Sequence, residues 1–404
     1  MYDMIVVGLG GMGSATLAHC AKRRKRVLGI EQYARGHDLG ASAGRSRIIR
    51  KAYFEGAAYV PLLQRAYELW RELERESQSE LLDLCGMLLV GRNDGALLRG
   101  AAGSAQTYRL ALEALTHREM LQRYPSLRLL AAESGLFERD AGMIFPEKAV
   151  EAHLRVAERV GAELRYEARV CGYASRPDGI HVETDDGSVC STHRLAVCAG
   201  PWLPRLAPEP DLPLRVQRNV QVWFAPTTDD YTRDRFPTFL LEREAMPAAL
   251  YGFPDYGQGV KAAFHAYGDT TSAEDIDRTV RDADSSAIRT ALEEFMPGSA
   301  GTFLSGKACM YTLTPDEHFI LDRHPYDERI VVAGGFSGHG YKFCSASAKS
   351  WPISRSTGRR AIPSTSFDSP GSSMSILRRA AGRGRIRFHT LRSRNRNNVA
   401  ASEE

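Results

Sequence analysis

Short apolar runs alternate with amphipathic stretches along most of the chain. Asp3 to Val7 is an apolar run ending in Gly8, and Arg26 to Ile30 is a second, closing on Glu31. Residues 58–76 place Val60, Leu63, Ala66, Trp70 and Leu73 near one face and predict an amphipathic helix. Leu88–Val90 reads as a strand, and residues 106–124 as a helix ending before Pro125. Glu147 to Val160 predicts a helix stopped by Gly161. Glu163–Tyr166, Ile180–Thr184 and Arg194–Cys198 predict strands, with Asp185-Asp186-Gly187 as a hairpin turn. Further strands are expected at Val260–His265 and Arg329–Ala333. Helices mixed with both parallel-type strands and hairpins imply an α/β chain, a doubly wound domain interleaved with an antiparallel one.

The glycines between the first two strands add chemistry. Gly8-Leu9-Gly10-Gly11-Met12-Gly13 links strand to helix, and Glu31 follows 18 residues after Gly13. Gly8 permits the tight turn, Gly10 lets a pyrophosphate approach the backbone, and Gly13 allows close helix packing. The helix N-terminus offers free N–H groups to phosphate, and Glu31 is placed for ribose hydroxyls. This predicts dinucleotide binding without separating FAD from NAD. The next segment, Asp38 to Arg50, favours FAD: a Gly/Ser-rich loop carries Arg45, Arg47 and Arg50, suited to gripping a carboxylate. Lys261 lies within an alternating strand, where an outward-facing lysine is the ordinary expectation. In a cleft it would be a fixed charge beside developing anions. Gly334 to Phe343 is glycine-rich after a buried strand, as where backbone meets a ligand.

Composition changes the picture at two points. The 404 residues exceed one ordinary domain, and no apolar run approaches the roughly 20 residues of a bilayer span. A net charge of +4 conceals a break: residues 345–404 hold 12 basic and 3 acidic side chains, while the preceding 344 carry 41 and 46. The seven cysteines are scattered and include no CxxC, so no metal site is expected. No charged leader precedes the first apolar run, so a cytoplasmic chain is expected.

Four ordered blocks together resemble the monomeric sarcosine oxidase and N-methyltryptophan oxidase family of D-amino-acid-oxidase-like flavoproteins. They are Gly8–Gly13, Ser46-Arg47-Ile48-Ile49-Arg50, Cys309–Asp322 and Phe336–Phe343, and the resemblance spans Met1 to about Cys344. It implies a Rossmann-type FAD-binding domain from residues 1–85, 145–213 and 315–344. It also implies an antiparallel-sheet substrate domain from 86–144 and 214–314. FAD would be held by Gly8, Gly10, Gly13, Glu31, Ser42, Ser46, Gly338, His339 and Gly340, and bound covalently at Cys309. Lys261, Arg47 and His265 match catalytic positions. Lys261 matches the lysine that promotes oxygen reduction in that family. Arg50, Lys342, Tyr251 and Tyr311 match substrate-binding ones.

The implied reaction oxidises a secondary or N-methyl amino acid, with dioxygen reduced to hydrogen peroxide and the imine hydrolysed to amine and aldehyde. A small amino acid and O2 are the expected partners of a monomer, with neither membrane nor nucleic acid. Where better-known members have His-His-Gly-Asp-Thr-Arg, this chain has Ser42-Ala43-Gly44-Arg45-Ser46-Arg47. The change leaves the class intact and opens the substrate to a larger amine. The alternatives are an FAD-dependent D-amino-acid or other amine dehydrogenase of the same superfamily, a nucleic-acid-associating protein acting through the basic tail, and an NAD-dependent dehydrogenase.

The tail departs from the family. Pro352 would break the expected helix, and only 9 of 60 residues are Leu, Ile, Val or Phe. Setting the reading frame back one base from Ser347 permits Ile-Gly-Glu-Val-Leu-Ala-Asp-Leu-Ala-Val-Asp-Gly, an amphipathic helix with a glycine stop. Residues 345–404 are therefore expected to be a non-native or disordered product of a single-base deletion near codon 346. Resequencing that codon should reveal the missing base; an uninterrupted frame would refute it.

Overall fold

The computed structural model describes residues 1–23, 25–208 and 212–349. The sequence reading of the tail beyond Lys349 lies outside these residues. Six strands form the first large sheet, in the order Ile320–His324, Asp327–Gly334, Leu195–Val197, Met4–Val7, Val27–Ile30 and Glu163–Arg165. Ile5 pairs in parallel with both Leu195 and Leu28, and Leu195 with Ile330. Only the Ile320–His324 edge is antiparallel.

These central strands are continuous apolar runs because both faces are covered. Met4 and Val6 pack with Leu17, Ala18, Leu154 and Ala157 of the helices Gly11–Ala21 and Pro146–Arg159. Ile5 and Val7 face the other way, onto Val170, Ile180 and Val182 of a three-stranded antiparallel sheet. Its hairpin turns at Asp185-Asp186-Gly187 as expected, with Gly187 donating to Thr184 O.

The second large sheet has nine strands. Arg215–Phe224 pairs with Phe303–Leu313, Thr270–Thr271 and Val260–Phe264; the sheet then runs through Leu250–Phe253, Thr238–Leu241, Met87–Arg92, Glu133–Glu138 and Glu113–Leu115. One face carries Leu88, Val90, Val222, Phe224, Phe239, Leu250 and Ala262 against Ile288, Leu292 and Phe295 of the helix Asp282–Phe295. Strand alternation turns Leu89, Leu240, Tyr251 and Lys261 to the opposite face. There Leu89 and Leu240 pack with Leu97, Leu98 and Ala101 of the helix Ala96–Tyr108, while Lys261 reaches the loop at 44–46. A small third sheet, Arg47–Ile49, Gly142–Ile144 and Leu82–Asp83, lies beside it.

A single helix over 106–124 is not formed. The helix there is Ala96–Tyr108, ending at Arg109 in the left-handed region (φ 53°). A short strand, Glu113–Leu115, and a second helix, His117–Arg123, follow. Thr116 and Glu119 close a capping box that starts the second helix, a local signal that overrides the apolar spacing. At the other end, Cys344–Lys349 is helical, and Cys344, Ala346 and Ala348 pack with Ala66 and Trp70.

Candidate functional site

The first strand ends at the glycine turn, and the helix Gly11–Ala21 starts there with no side chain capping it. Its opening amides point into the turn, where an anion or a nearby side-chain oxygen can accept from them. A Cβ on Gly13 would lie 1.7 Å from Gly8 O, so only glycine lets the helix come this close to the strand. Glu31 Oε2 accepts from the Leu9 amide (2.8 Å), and Ser42 Oγ accepts from the Gly11 amide (2.9 Å). These groups line a cavity of about 230 Å³ that runs on past Arg47, Glu147 and Tyr311 to Gly338 and Gly340. Gly338 has φ 78°, and a Cβ there would sit 2.2 Å from the Tyr311 ring, which closes against it. The glycine cradle, the uncapped helix and the buried acid fit a dinucleotide such as FAD.

Where the cavity passes between the sheets, three expected residues converge. Cys309 Sγ lies 3.9 Å from Arg47 Nη2 and 3.8 Å from Ala41 O. Arg47 also donates to Ser46 O (2.8 Å), Ala41 O (2.9 Å) and Ala43 O. Lys261 is 2 % exposed, so it is not an outward-facing strand lysine. Register explains why: Lys261 pairs with Trp223 on the opposite face, while neighbouring Ala262 pairs with Val222 in the core. Its Nζ donates to Gly44 O (2.6 Å), Ser46 O (3.0 Å) and Ser46 Oγ (3.1 Å), flanked by the Phe253 and Trp223 rings at 4.9 and 5.4 Å. Three oxygen acceptors suit an ammonium with three donors. Burial, then Arg47, pushes its pKa well below the ordinary lysine value, while Cys309 and Glu147 oppose that shift.

A second cavity of about 70 Å³ adjoins the first, lined by Arg50, Lys342, Tyr251, His265, Tyr311 and His339, with Ile48, Phe54 and Leu240 as apolar wall. Arg50 is buried, stacked against Tyr53 and Phe54, and both oxygens of Glu55 accept from its Nη2 at 2.6 Å. Burial would raise the Glu55 pKa, but Arg50, His339 and Lys342 outweigh it and bring it to about 2. Lys342 Nζ donates to His339 O (2.7 Å), and its turn is fixed by Trp70 Nε1 donating to Lys342 O (2.9 Å). Burial and the neighbouring Arg50 lower Lys342 to about 7, with Glu55 opposing.

The two histidines differ little in character. His339 Nε2 must donate to Glu317 O (2.9 Å), since a carbonyl only accepts; Nδ1 then accepts from Tyr53 Oη (2.5 Å). Burial holds His339 at about 3 and His265 at about 4, so both are neutral near pH 7. Tyr251 and Tyr311 share a hydrogen bond beside His265.

The expected residues thus divide between two adjoining cavities. Glu31, Ser42, Gly8, Gly10, Gly338 and Gly340 line the large one, and Gly13 packs against Gly8 O instead. Arg50, Lys342, His265, Tyr251 and His339 line the small one. Arg47 and Tyr311 face both, Ser46 lines the small one, and Cys309 and Lys261 adjoin through Arg47 and the 41–46 loop. Glu55 and Glu147 were not expected. Glu55 had a weak local signal, an acid five residues beyond Arg50; Glu147 had none. Among the described residues no cluster could hold a metal ion, and no helix is long and apolar enough to cross a membrane.

Fold and site define a flavin-type oxidoreductase, and comparison with known proteins bears on which one. Residues 3–350 match the DAO model, FAD dependent oxidoreductase, and the chain belongs to that family. It is 39 % identical over 373 residues to monomeric sarcosine oxidase of Streptomyces avermitilis, covering 91 % of this chain and 97 % of the relative. N-methyl-L-tryptophan oxidase of Salmonella enteritidis is 34 % identical, over 85 % of this chain and 91 % of the relative. Among solved structures, NikD, an unusual amino acid oxidase essential for nikkomycin biosynthesis, superposes with a TM-score of 0.78 at 22 % identity. That match covers 93 % of this chain and 96 % of NikD, and it shows the shared fold.

Proposed function

We propose that the chain is an FAD-dependent oxidase of small secondary or N-methyl amino acids. The observation that carries this is the small cavity. It pairs two buried cations, Arg50 and Lys342, with an apolar wall, beside the dinucleotide cradle. The chemistry that bound FAD would supply is acceptance of a hydride equivalent from the substrate N–CH bond and return of two electrons to dioxygen as hydrogen peroxide; the imine would hydrolyse in water.

The chain's own residues orient the substrate and set the electrostatics. Lys342 and Arg50 receive the carboxylate by charge-assisted hydrogen bonds. Tyr251, Tyr311 and neutral His265 line the remaining polar side. Lys261 and Arg47 supply fixed positive charge where the reduction of oxygen makes anions. Gly8, Gly10, Gly13, Glu31, Ser42, Ser46, Gly338, His339 and Gly340 would hold the cofactor, and Cys309 would carry it covalently through its sulfur. Residues 1–85, 145–213 and 315–344 form the cofactor unit and 86–144 with 214–314 the substrate unit. We take the protein to be a cytoplasmic monomer.

With Ile48, Phe54 and Leu240 walling the small cavity, we read it as favouring a short Cα substituent over the larger amine that the altered 42–47 loop had opened. Peroxide release is expected to be greatest with sarcosine and N-methylalanine and at least tenfold lower with N-methyltryptophan. Protein denatured in acid should stay yellow, and Cys309→Ala should lose that colour on denaturation. No peroxide from any N-methyl amino acid, although substrate still bleaches the flavin, would point to a dehydrogenase.

A further inference from the structure

We propose that Glu147 is the positioning residue for Lys261. It stands in the first turn of the helix Pro146–Arg159, where the helix dipole favours a carboxylate. Its Oε1 accepts from two successive amides, Gly44 N at 2.8 Å and Arg45 N at 2.9 Å. Both amides reach one oxygen because the backbone there is left-handed, with φ 120° at Gly44 and 65° at Arg45. Consecutive N–H groups in such a turn make a concave anion site, here filled by the protein's own carboxylate.

Turning the amides toward Glu147 leaves carbonyls on the other side of the loop. Gly44 O and Ser46 O both accept from Lys261 Nζ, and Ser46 O also accepts from Arg47 Nη1 (2.8 Å). The loop is held between one anion and two cations. A non-glycine residue at φ 65° is costly unless its surroundings hold it there. At Arg45 those surroundings are the Glu147 hydrogen bond and stacking on Trp223 at 4.8 Å. Without the carboxylate, Arg45 can relax to negative φ and rotate the acceptors that fix Lys261. Glu147 sits on a helix of the first sheet's unit and Lys261 on the antiparallel sheet, so the loop transmits position between the two.

This inference rests on reading Lys261 as the cation that serves oxygen reduction, so Lys261→Met is measured alongside. In the holoenzyme, Glu147→Ala should slow oxidation of the reduced protein by dioxygen at least tenfold. Glu147→Gln, which keeps an oxygen acceptor, should slow it less than threefold. Anaerobic reduction by sarcosine should stay within threefold in both. Independently of turnover, hydrogen–deuterium exchange at the Gly44 and Arg45 amides should quicken at least tenfold in Glu147→Ala and stay near the parent rate in Glu147→Gln. Should Glu147→Ala fail to fold, Glu147→Ser, too short to reach the amides, carries the same expectations. Unchanged exchange and oxidation in the short variants would overturn the proposal. Slow oxidation in Lys261→Met with normal oxidation in Glu147→Ala would overturn the role of Glu147 alone. Normal oxidation in Lys261→Met would overturn the reading of the lysine itself.

Discussion

Lys261→Met is expected to slow the reaction of the reduced enzyme with dioxygen by about 10²–10³-fold, the range for removing one preorganised group that meets developing charge. Anaerobic reduction by substrate should change less than threefold. The lysine is 2 % exposed and held at three points, so its charge needs no rearrangement when negative charge forms on dioxygen. Methionine is of similar length and fits between Trp223 and Phe253, which limits the change to charge and hydrogen bonding. The carbonyls of Gly44 and Ser46 lose a donor but keep the Ser46 amide (2.7 Å) and Arg47 Nη1 (2.8 Å) as partners, so little stability should be lost. Stopped-flow mixing of the pre-reduced protein with oxygenated buffer separates the two half-reactions. Oxidation within threefold of the parent would show that the charge is not used there.

Lys342→Met is expected to weaken binding of a small carboxylate lacking an amine by about 10–100-fold, corresponding to about 1.5–3 kcal/mol for a hydrogen bond to a charged group. Glu55 already engages Arg50 through both its oxygens, which leaves Lys342 as the less compensated cation. The pH dependence follows from its depressed value of about 7. Below that pH the free protein holds an ammonium and binds the anion well. Above it the proton is lost, and affinity should fall about tenfold per pH unit. An amine-free ligand is needed because a substrate amine titrates in the alkaline range and would blur this limb. Titration monitored by the flavin spectrum should show the limb in the parent and not in Lys342→Met. A parent profile flat from pH 6 to 9 would contradict the assignment.

The parts of this molecule that were legible in its sequence are those whose signal is local. The Gly8–Gly13 turn lies between its own strand and helix, and the hairpin at Asp185–Gly187 is set by three residues. The ordered blocks, from Ser46–Arg50 to Phe336–Phe343, named many of the residues that line the two cavities. What could not be read depended on partners far along the chain. Lys261 looked like a surface lysine because strand periodicity says which residues share a face but not which face is covered. Its burial is decided by the loop at 44–46, more than 200 positions earlier. Glu147 gave no signal because its ligands are backbone amides about 100 residues away. The misread helix over 106–124 failed for another reason. Apolar spacing there continued across a left-handed stop at Arg109 and a capped restart at Thr116.

The pairing of the first strand also bears on how the chain reaches this state. Met4–Val7 leaves the ribosome well before one of its two neighbours, Leu195–Val197, which in turn waits for Asp327–Gly334. The central sheet therefore closes only when most of the chain has been made. Parallel pairings of such long sequence separation are slow, because loop-closure entropy is spent before the contacts repay it. Until then the apolar edge of Met4–Val7 is open to mispairing, so temperature and synthesis rate should govern soluble yield more strongly than final stability does.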